Sequence, residues 1–587
     1  MKKVLTIIIV VLAVLILATA GVIYQFYIPN NNMAQAYDRS KLNLVVEGEL
    51  VASKNAPKIV DEEILLPFDV VKKYFDPNIY WDDKLKKVTI TTRDRVIRMK
   101  TDSLNALVNN KPVTLRIPVS VENGAVYIPI EFLSDFYNIE ISYLKDNNII
   151  VIDFRNSLRQ LAQPITEGAV VRLGRSIHEP VVKKLDPSPD KADDNTLRVF
   201  EEYDKWYKVR TSDGSIGYIE KKFVVVKRLM VKKVPEEQQA SSTAWKPEKG
   251  RISLVWDAIY TGRPDFSKMT GMDGLDVISP TWFQVLNEKG DLINRADAKY
   301  VEWAHKSGYK VWALFSNDFK SPSMTQQVLN NTDVRDNIIR QLLAYSSLYK
   351  LDGINIDFEN INKEDRDALT QFVREAAPLL KQQGLVVSID VTVPEGSGNW
   401  SLCYDRKALG QVVDYVMLMT YDQHWSTSPE SGSVAQVTWV EQNVKKVVSM
   451  IPGEKLLLGL PFYTRLWKEE KGADGKVKVS NPKALSMQDA KKLVKENNAR
   501  VVWDETSGQF YSEYKSGDAT YKIWLEDENS INLKSALVQK YRLAGAAAWR
   551  RSDAMPEVWN VLDRNLKSID NYQDWLAINK NRKYSYE

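Results

Sequence analysis

The sequence predicts a multidomain chain dominated by an α/β architecture. The expected fold is a closed (β/α)8 barrel with an inserted α+β subdomain, preceded by an α+β repeat domain, a small β-barrel and an N-terminal transmembrane helix. Three observations predict it. Eight short apolar runs alternate with amphipathic stretches beyond residue 250, residues 40–155 repeat themselves at a fixed offset, and residues 5–27 are apolar almost without interruption. A chain of 587 residues has room for several domains.

At the N-terminus (residues 1–30), the run 5–27 follows Lys2 and Lys3. Its length suffices to cross a bilayer as a helix, and the two lysines would stay in the cytoplasm. The chain is therefore expected to be extracytoplasmic, anchored in the membrane through this helix and associated with the cell wall. A cleaved signal peptide is the alternative, because Ala18-Thr19-Ala20 resembles an A-x-A cleavage site. An uncleaved anchor is favoured because the apolar run continues through Val22, Ile23, Phe26 and Tyr27.

Residues 40–155 hold two segments offset by 62 positions: Leu66-Pro67-Phe68 matches Ile128-Pro129-Ile130, Trp81 matches Tyr143, and Ile90 matches Ile152. Each unit reads as a strand entering a proline, a short helix (70–75 and 132–137), and a hairpin turning at Asp82-Asp83 or Asp146-Asn147. This pattern resembles the small domain found at the N-terminus of copper amine oxidases. No copper is implied, since the segment contains neither histidine nor cysteine. A spacer or wall-binding role is expected.

Residues 160–230 carry short strand signals at 169–173, 197–202, 206–210 and 216–219. The run Trp206 to Arg210, followed by Asp213-Gly214-Ser215-Ile216-Gly217-Tyr218, resembles the bacterial Src-homology-three-like module. Residues 231–249 read as a polar linker.

The domain at 250–565 supplies candidate strands at 252–257, 276–282, 310–315, 352–358, 386–393, 415–421, 456–462 and 544–549. Helical patterns such as 333–349, 363–382 and 437–449 fall between them, so the strands should be parallel and closed. The interval 463–543 is too long for a loop and has its own strand signals, so an inserted α+β subdomain is expected there. No assignment is made for the tail, 566–587.

In a barrel of this kind chemistry gathers at the C-terminal ends of the strands. The fourth strand reads L-D-G-I-N-I-D-F-E-N over 351–360. Its period-two alternation sets Asn355, Asp357 and Glu359 on one face. Residues two apart on a strand are about 6.6–6.8 Å apart, near enough for Asp357 to help keep Glu359 protonated as a general acid. Tyr421 and Asp422 end the sixth strand and Trp549 ends the eighth.

Composition narrows the classes of function. Charges nearly cancel at +4, which gives no support to nucleic-acid binding. One cysteine, Cys403, excludes an intrachain disulfide and a multi-cysteine zinc site, and three scattered histidines (His178, His305, His424) disfavour a histidine metal centre. No metal or other cofactor is expected. His424 could line the cleft, while Cys403 reads as a small buried residue.

The segment Asp352-Gly353-Ile354-Asn355-Ile356-Asp357-Phe358-Glu359 resembles the D-G-x-D-x-D-x-E signature of glycoside hydrolase family 18. Met419-Thr420-Tyr421-Asp422 is similar to that family's M-x-Y-D segment, and Gly545 to Trp549 to its last strand. Asn355 stands where the signature has its first inner Asp, as in the branch of spore-cortex and cell-wall hydrolases, which removes a possible charge partner of Asp357. The resemblance implies a retaining glycosidase in which the sugar's own 2-acetamido group is the nucleophile. It implies Glu359 as acid and then base, Asp357 on the acetamido N–H, Tyr421 on its carbonyl oxygen, Trp549 beneath the sugar, and Asp422 and Asn355 in support. The implied partner is an N-acetylglucosamine-containing polysaccharide, peptidoglycan or chitin. With an anchor and two wall-type modules, peptidoglycan is the expected substrate and sporulation a plausible setting. Chitin or N-glycan cleavage, or non-catalytic wall binding, are the alternatives.

Overall fold

The computed structural model describes all residues except 1, 158, 230–243, 262–265, 267, 268, 270, 473 and 587, so most of the expected linker lies outside the described residues. The chain divides into two compact units: residues 1–81 with 86–90 and 98–241, and residues 242–587 with 82–85 and 91–97.

The first unit begins with the helix Lys2–Tyr27. Its stretch Val4–Tyr24 is 21 residues long, apolar and wholly unburied, which is enough by length and composition to cross a membrane. In the repeat that follows, strands Glu63–Pro67 and Ala125–Pro129 pair antiparallel with Leu66 directly opposite Ile128. These are equivalent positions of the two copies, so the copies meet about an approximate two-fold axis. The first copy has its helix, Phe68–Tyr74. The second does not: the expected helix at 132–137 is a run of turns. The apolar positions Phe132, Leu133, Phe136 and Tyr137 match Val70, Val71, Tyr74 and Phe75 of the first copy, but here the backbone closes short turns, with the Leu133 N–H donating to the Ile130 carbonyl at 3.0 Å and the Ser134 N–H to that of Glu131 at 3.1 Å. Residues 159–229 form a seven-stranded sheet over a core that includes Ala162, Val171, Leu197 and Val209. The Arg210 guanidinium ties this sheet to the repeat, reaching both Asp153 carboxylate oxygens at 2.8 and 2.7 Å.

In the second unit eight parallel strands close on themselves: β1 Ile252–Asp257, β2 Val277–Val285, β3 Lys310–Ser316, β4 Gly353–Asp357, β5 Val386–Thr392, β6 Tyr415–Met419, β7 Leu456–Pro461 and β8 Gly545–Trp549. Closure is completed by β1 pairing with both β2 and β8. Helices Ala298–Lys306, Thr332–Tyr349, Arg366–Gln382 and Val437–Val448 lie outside, each burying one apolar stripe against the strands. Two glycines allow close strand approach. A Cβ on Gly353 would come within 2.7 Å of the Val386 carbonyl oxygen, and one on Gly545 within 2.0 Å of that of Ile252.

The barrel interior changes character along its axis. Toward the N-terminal ends it is packed by Trp312, Val386, Tyr415 and Leu457. Toward the C-terminal ends the inward positions become Ser279, Asn355, Asp357, Ser388 and Asp390, all buried. Burying that many polar groups costs free energy unless they are paired, so this end of the barrel was not selected for stability alone.

The insertion after β7 is a five-stranded antiparallel sheet with one helix, Met487–Glu496. Its first hairpin, Tyr463–Lys471 with Val477–Ser486, adds two strands to the three that the sequence signals indicate. The tail also folds: helix Tyr572–Asn579 buries Trp575, and Tyr584 stacks on Trp503 of the insertion at 3.8 Å.

Candidate active site

The site is built from the ends of the strands upward. Parallel strands β4 and β5 run in register with Asn355 opposite Ser388 and Ile356 opposite Ile389. The same alternation points Asn355 and Asp357 inward and buries Ile354, Ile356 and Phe358 outward against the helices. Glu359 lies just beyond β4 and is half-buried.

Three contacts fix the Glu359 backbone. Asn317, at the end of β3 and fully buried, accepts from the Glu359 N–H at 2.9 Å through Oδ1 and donates to the Glu359 carbonyl at 2.9 Å through Nδ2. Tyr404 donates its hydroxyl to the Phe358 carbonyl at 2.7 Å. Asn360 then turns the chain in the left-handed region (φ 50°), a conformation that asparagine tolerates, and its amide donates to the Phe319 carbonyl at 2.8 Å.

The electrostatics follow from burial. The Glu359 carboxyl is held well above the ordinary carboxylate range, first by desolvation and then by the Asp357 and Asp422 carboxylates. Asp357 is likewise raised by burial and by Asp390, and its Oδ1 has no hydrogen-bond partner among the described residues. Tyr421 sits beyond the end of β6, because that strand stops at Met419, short of the expected residue 421. Its hydroxyl is pushed well up by burial and by the carboxylates of Asp390, Glu359 and Asp357, so it stays a proton donor throughout the working pH range. Those same influences place Tyr421 with the acid cluster.

Asp422 takes a positive φ of 57° and accepts from the Tyr463 hydroxyl at 2.6 Å and the Arg465 guanidinium at 2.8 Å. Trp549 ends β8 with its ring centroid 6.2 Å from that of Trp256, whose indole N–H donates to Asn355 Oδ1 at 2.8 Å. All six residues expected from the sequence thus converge on one end of the barrel. His424 does not join them: its Nδ1 lies 2.8 Å from the Ser433 carbonyl and its ring packs edge-on against Trp467. Cys403 is fully buried, with burial pushing its thiol up to about 11.

Sequence reasoning missed Asp390, Asn317, Tyr404, Tyr463 and Arg465. Asp390 had a signal: it is the one acid in the apolar run Val386–Thr392, two residues from Ser388 on the same face. A carboxylate inside a buried parallel strand is rare without a task. Asn317 had none, since it acts through a main chain 42 positions away.

Residues 282–554 match Glycosyl hydrolases family 18, and residues 45–152 match the Copper amine oxidase N-terminal domain. The uncharacterized glycosylase YvbX of Bacillus subtilis (strain 168) is 27% identical over 48% of this chain and 82% of its own length. The cortical fragment-lytic enzyme of the same organism is 28% identical over 42% of this chain and 57% of its own length, so the match spans little more than half of that enzyme. The crystal structure of the Bacillus megaterium QM B1551 spore cortex-lytic enzyme SleL is 24% identical, covering 55% of this chain and 76% of that chain with a TM-score of 0.48. The chain therefore carries a glycosidase domain of family 18, with a copper amine oxidase N-terminal domain ahead of it.

Proposed function

We propose that the chain is a retaining glycosidase that cleaves β-1,4 bonds after N-acetylglucosamine in peptidoglycan, using the substrate's 2-acetamido group as nucleophile. The observation that carries this reading is the pairing of a half-buried Glu359, kept protonated by burial and like charge, with the buried Asp357 on the same strand. A raised acid is what protonation of a leaving oxygen at neutral pH requires.

Glu359 gives its proton to the glycosidic oxygen as the C1–O bond breaks, and the acetamido carbonyl oxygen bonds to C1. Asp357 accepts the acetamido N–H and offsets the positive charge of the oxazolinium. Tyr421 donates to the acetamido oxygen and holds it in line. Trp549 lies beneath the sugar ring, with Asn355 and Asp422 fixing Trp256, Tyr463 and Arg465 around it. Glu359, now a carboxylate, takes a proton from water whose oxygen attacks C1, and the acetamido group is released. Catalysis is then positioning plus fixed electrostatics.

The relatives named as cortical fragment-lytic enzymes, together with the N-terminal helix, favour a wall polymer reached from the membrane surface. The di-N-acetylchitobiases, 25% identical for the human protein over 46% of this chain, favour chitooligosaccharides as a second reading. Full-length chain incubated in parallel with peptidoglycan and with chitooligosaccharide separates the two. The expected result is new reducing-end N-acetylglucosamine from peptidoglycan; unchanged muropeptides beside cleaved chitooligosaccharide would favour the second reading. Glu359→Gln should lower kcat by about 10²–10⁴-fold while substrate binding persists. Activity should also fall on the alkaline side, as pH rises through the raised Glu359 pKa and the acid loses its proton.

A further inference from the structure

Asn355 has an acid beside it on the neighbouring strand, Asp390. The β4–β5 register pairs Ile356 with Ile389, and its next step sets Asp357 beside Asp390. Paired residues on adjacent parallel strands point the same way, with backbones about 4.8 Å apart. Both side chains enter the same buried layer, at 7% and 2% exposure. Asn355 Nδ2 donates to Asp390 Oδ1 at 2.8 Å, while its own Oδ1 accepts from Trp256 at 2.8 Å and Ser279 at 3.3 Å. These two acceptor bonds fix the amide orientation, so Asn355 presents N–H to Asp390. An aspartate at 355 would meet Asp390 with like charge.

We propose that Asp390 is the positioning acid of the site: it shares one proton with Asp357, and takes that proton when Asp357 must be anionic. This rests on the glycosidase reading above. Two carboxylates at this spacing in a dry layer cannot both ionise at low cost. Among the described residues, no cation is among the groups that shift either carboxyl. The other titratable groups facing the pair are Glu359, Tyr421, Tyr404 and Tyr260. In the resting site the Asn355 N–H favours charge on Asp390, which leaves the proton on Asp357. As positive charge grows on the oxazolinium, the O–H bond on Asp357 breaks and one forms on Asp390. The pair's net charge is unchanged, and the negative charge has moved next to the intermediate.

The test compares the full-length wild type, Asp390→Asn, the exchange variant Asn355→Asp/Asp390→Asn, and Glu359→Gln on one substrate. Asp390→Asn keeps the size of the side chain and an oxygen to accept from Asn355. It should lower kcat by at least about tenfold with KM little changed, since one unit of pKa mismatch is a factor of ten. It should also move the acidic limb of the pH–rate profile to lower pH, because the like charge that raises Asp357 is gone. The exchange variant, which returns the acid to β4, should recover most of the lost kcat. Wild-type kcat and an unmoved acidic limb in Asp390→Asn would overturn the proposal. So would a loss with an unmoved limb and no recovery in the exchange variant, which marks a merely structural residue. No turnover by the wild type would instead overturn the glycosidase reading itself, and full activity in Glu359→Gln would overturn Glu359 as its acid.

Discussion

Glu359 and Asp357 are the same kind of side chain two positions apart, yet the site asks opposite things of them. Glu359 has to arrive protonated; Asp357 has to become anionic beside a cation. Burial raises both, so the distinction comes from partners: Asp422 adds to Glu359, while Asp390 adds to Asp357. This arrangement also bears on stability. An acid whose folded pKa lies above its unfolded value binds more protons in the native state. Its contribution is therefore most favourable at low pH and is lost as pH rises from the ordinary carboxylate range through the raised folded value. Asp357→Asn removes that loss. It should raise Tm at pH 8 relative to wild type, with the gain shrinking toward pH 4, as thermal melts at the two pH values would check. An equal or lower Tm at pH 8 would mean that the carboxylate is not strained there.

At the scale of elements, the end of β4 is set less by β4 than by its neighbour. The Asn317 amide grips the Glu359 main chain from both sides, and it is held in turn by Thr325 Oγ1 at 2.9 Å. Asn317→Ala leaves the carboxyl in place chemically but loosens its aim. A misplacement of about 1 Å can cost on the order of 10²-fold, so kcat should fall about 10–100-fold with the pH profile unmoved. Steady-state kinetics across pH would check this; a shifted profile would mean that Asn317 acts on the ionisation instead. Period-two alternation made β4 and its three inward polar residues legible, because that signal is local. The clamp was illegible because hydrogen bonds between strands leave no spacing in the chain. The absent helix at 132–137 failed in the opposite way: repeat symmetry suggested it and the second copy keeps the apolar positions, but its backbone closes short turns there instead.

At the scale of the whole chain, sequence patterns reached furthest where burial is two-sided. Each of the eight barrel strands is an apolar run because helices cover one side and the interior fills the other, and all eight are legible in the sequence. The insertion's first hairpin was not, since strands such as Val477–Ser486 carry lysines and polar residues on a largely exposed sheet. The first unit contributes an apolar helix and two small sheet domains. The second contributes a barrel whose polar end holds every candidate site residue. In the proposed mechanism the substrate, and not Asp357, supplies the nucleophile. The most direct measurement is the anomeric configuration of the first-formed product, followed by NMR while the full-length chain turns over an N-acetylglucosamine oligosaccharide. Attack by the acetamido group predicts the β-anomer first, with no turnover of an analogue whose 2-acetamido group is replaced by hydroxyl. An α-anomer first, or ready cleavage of the hydroxyl analogue, would contradict it.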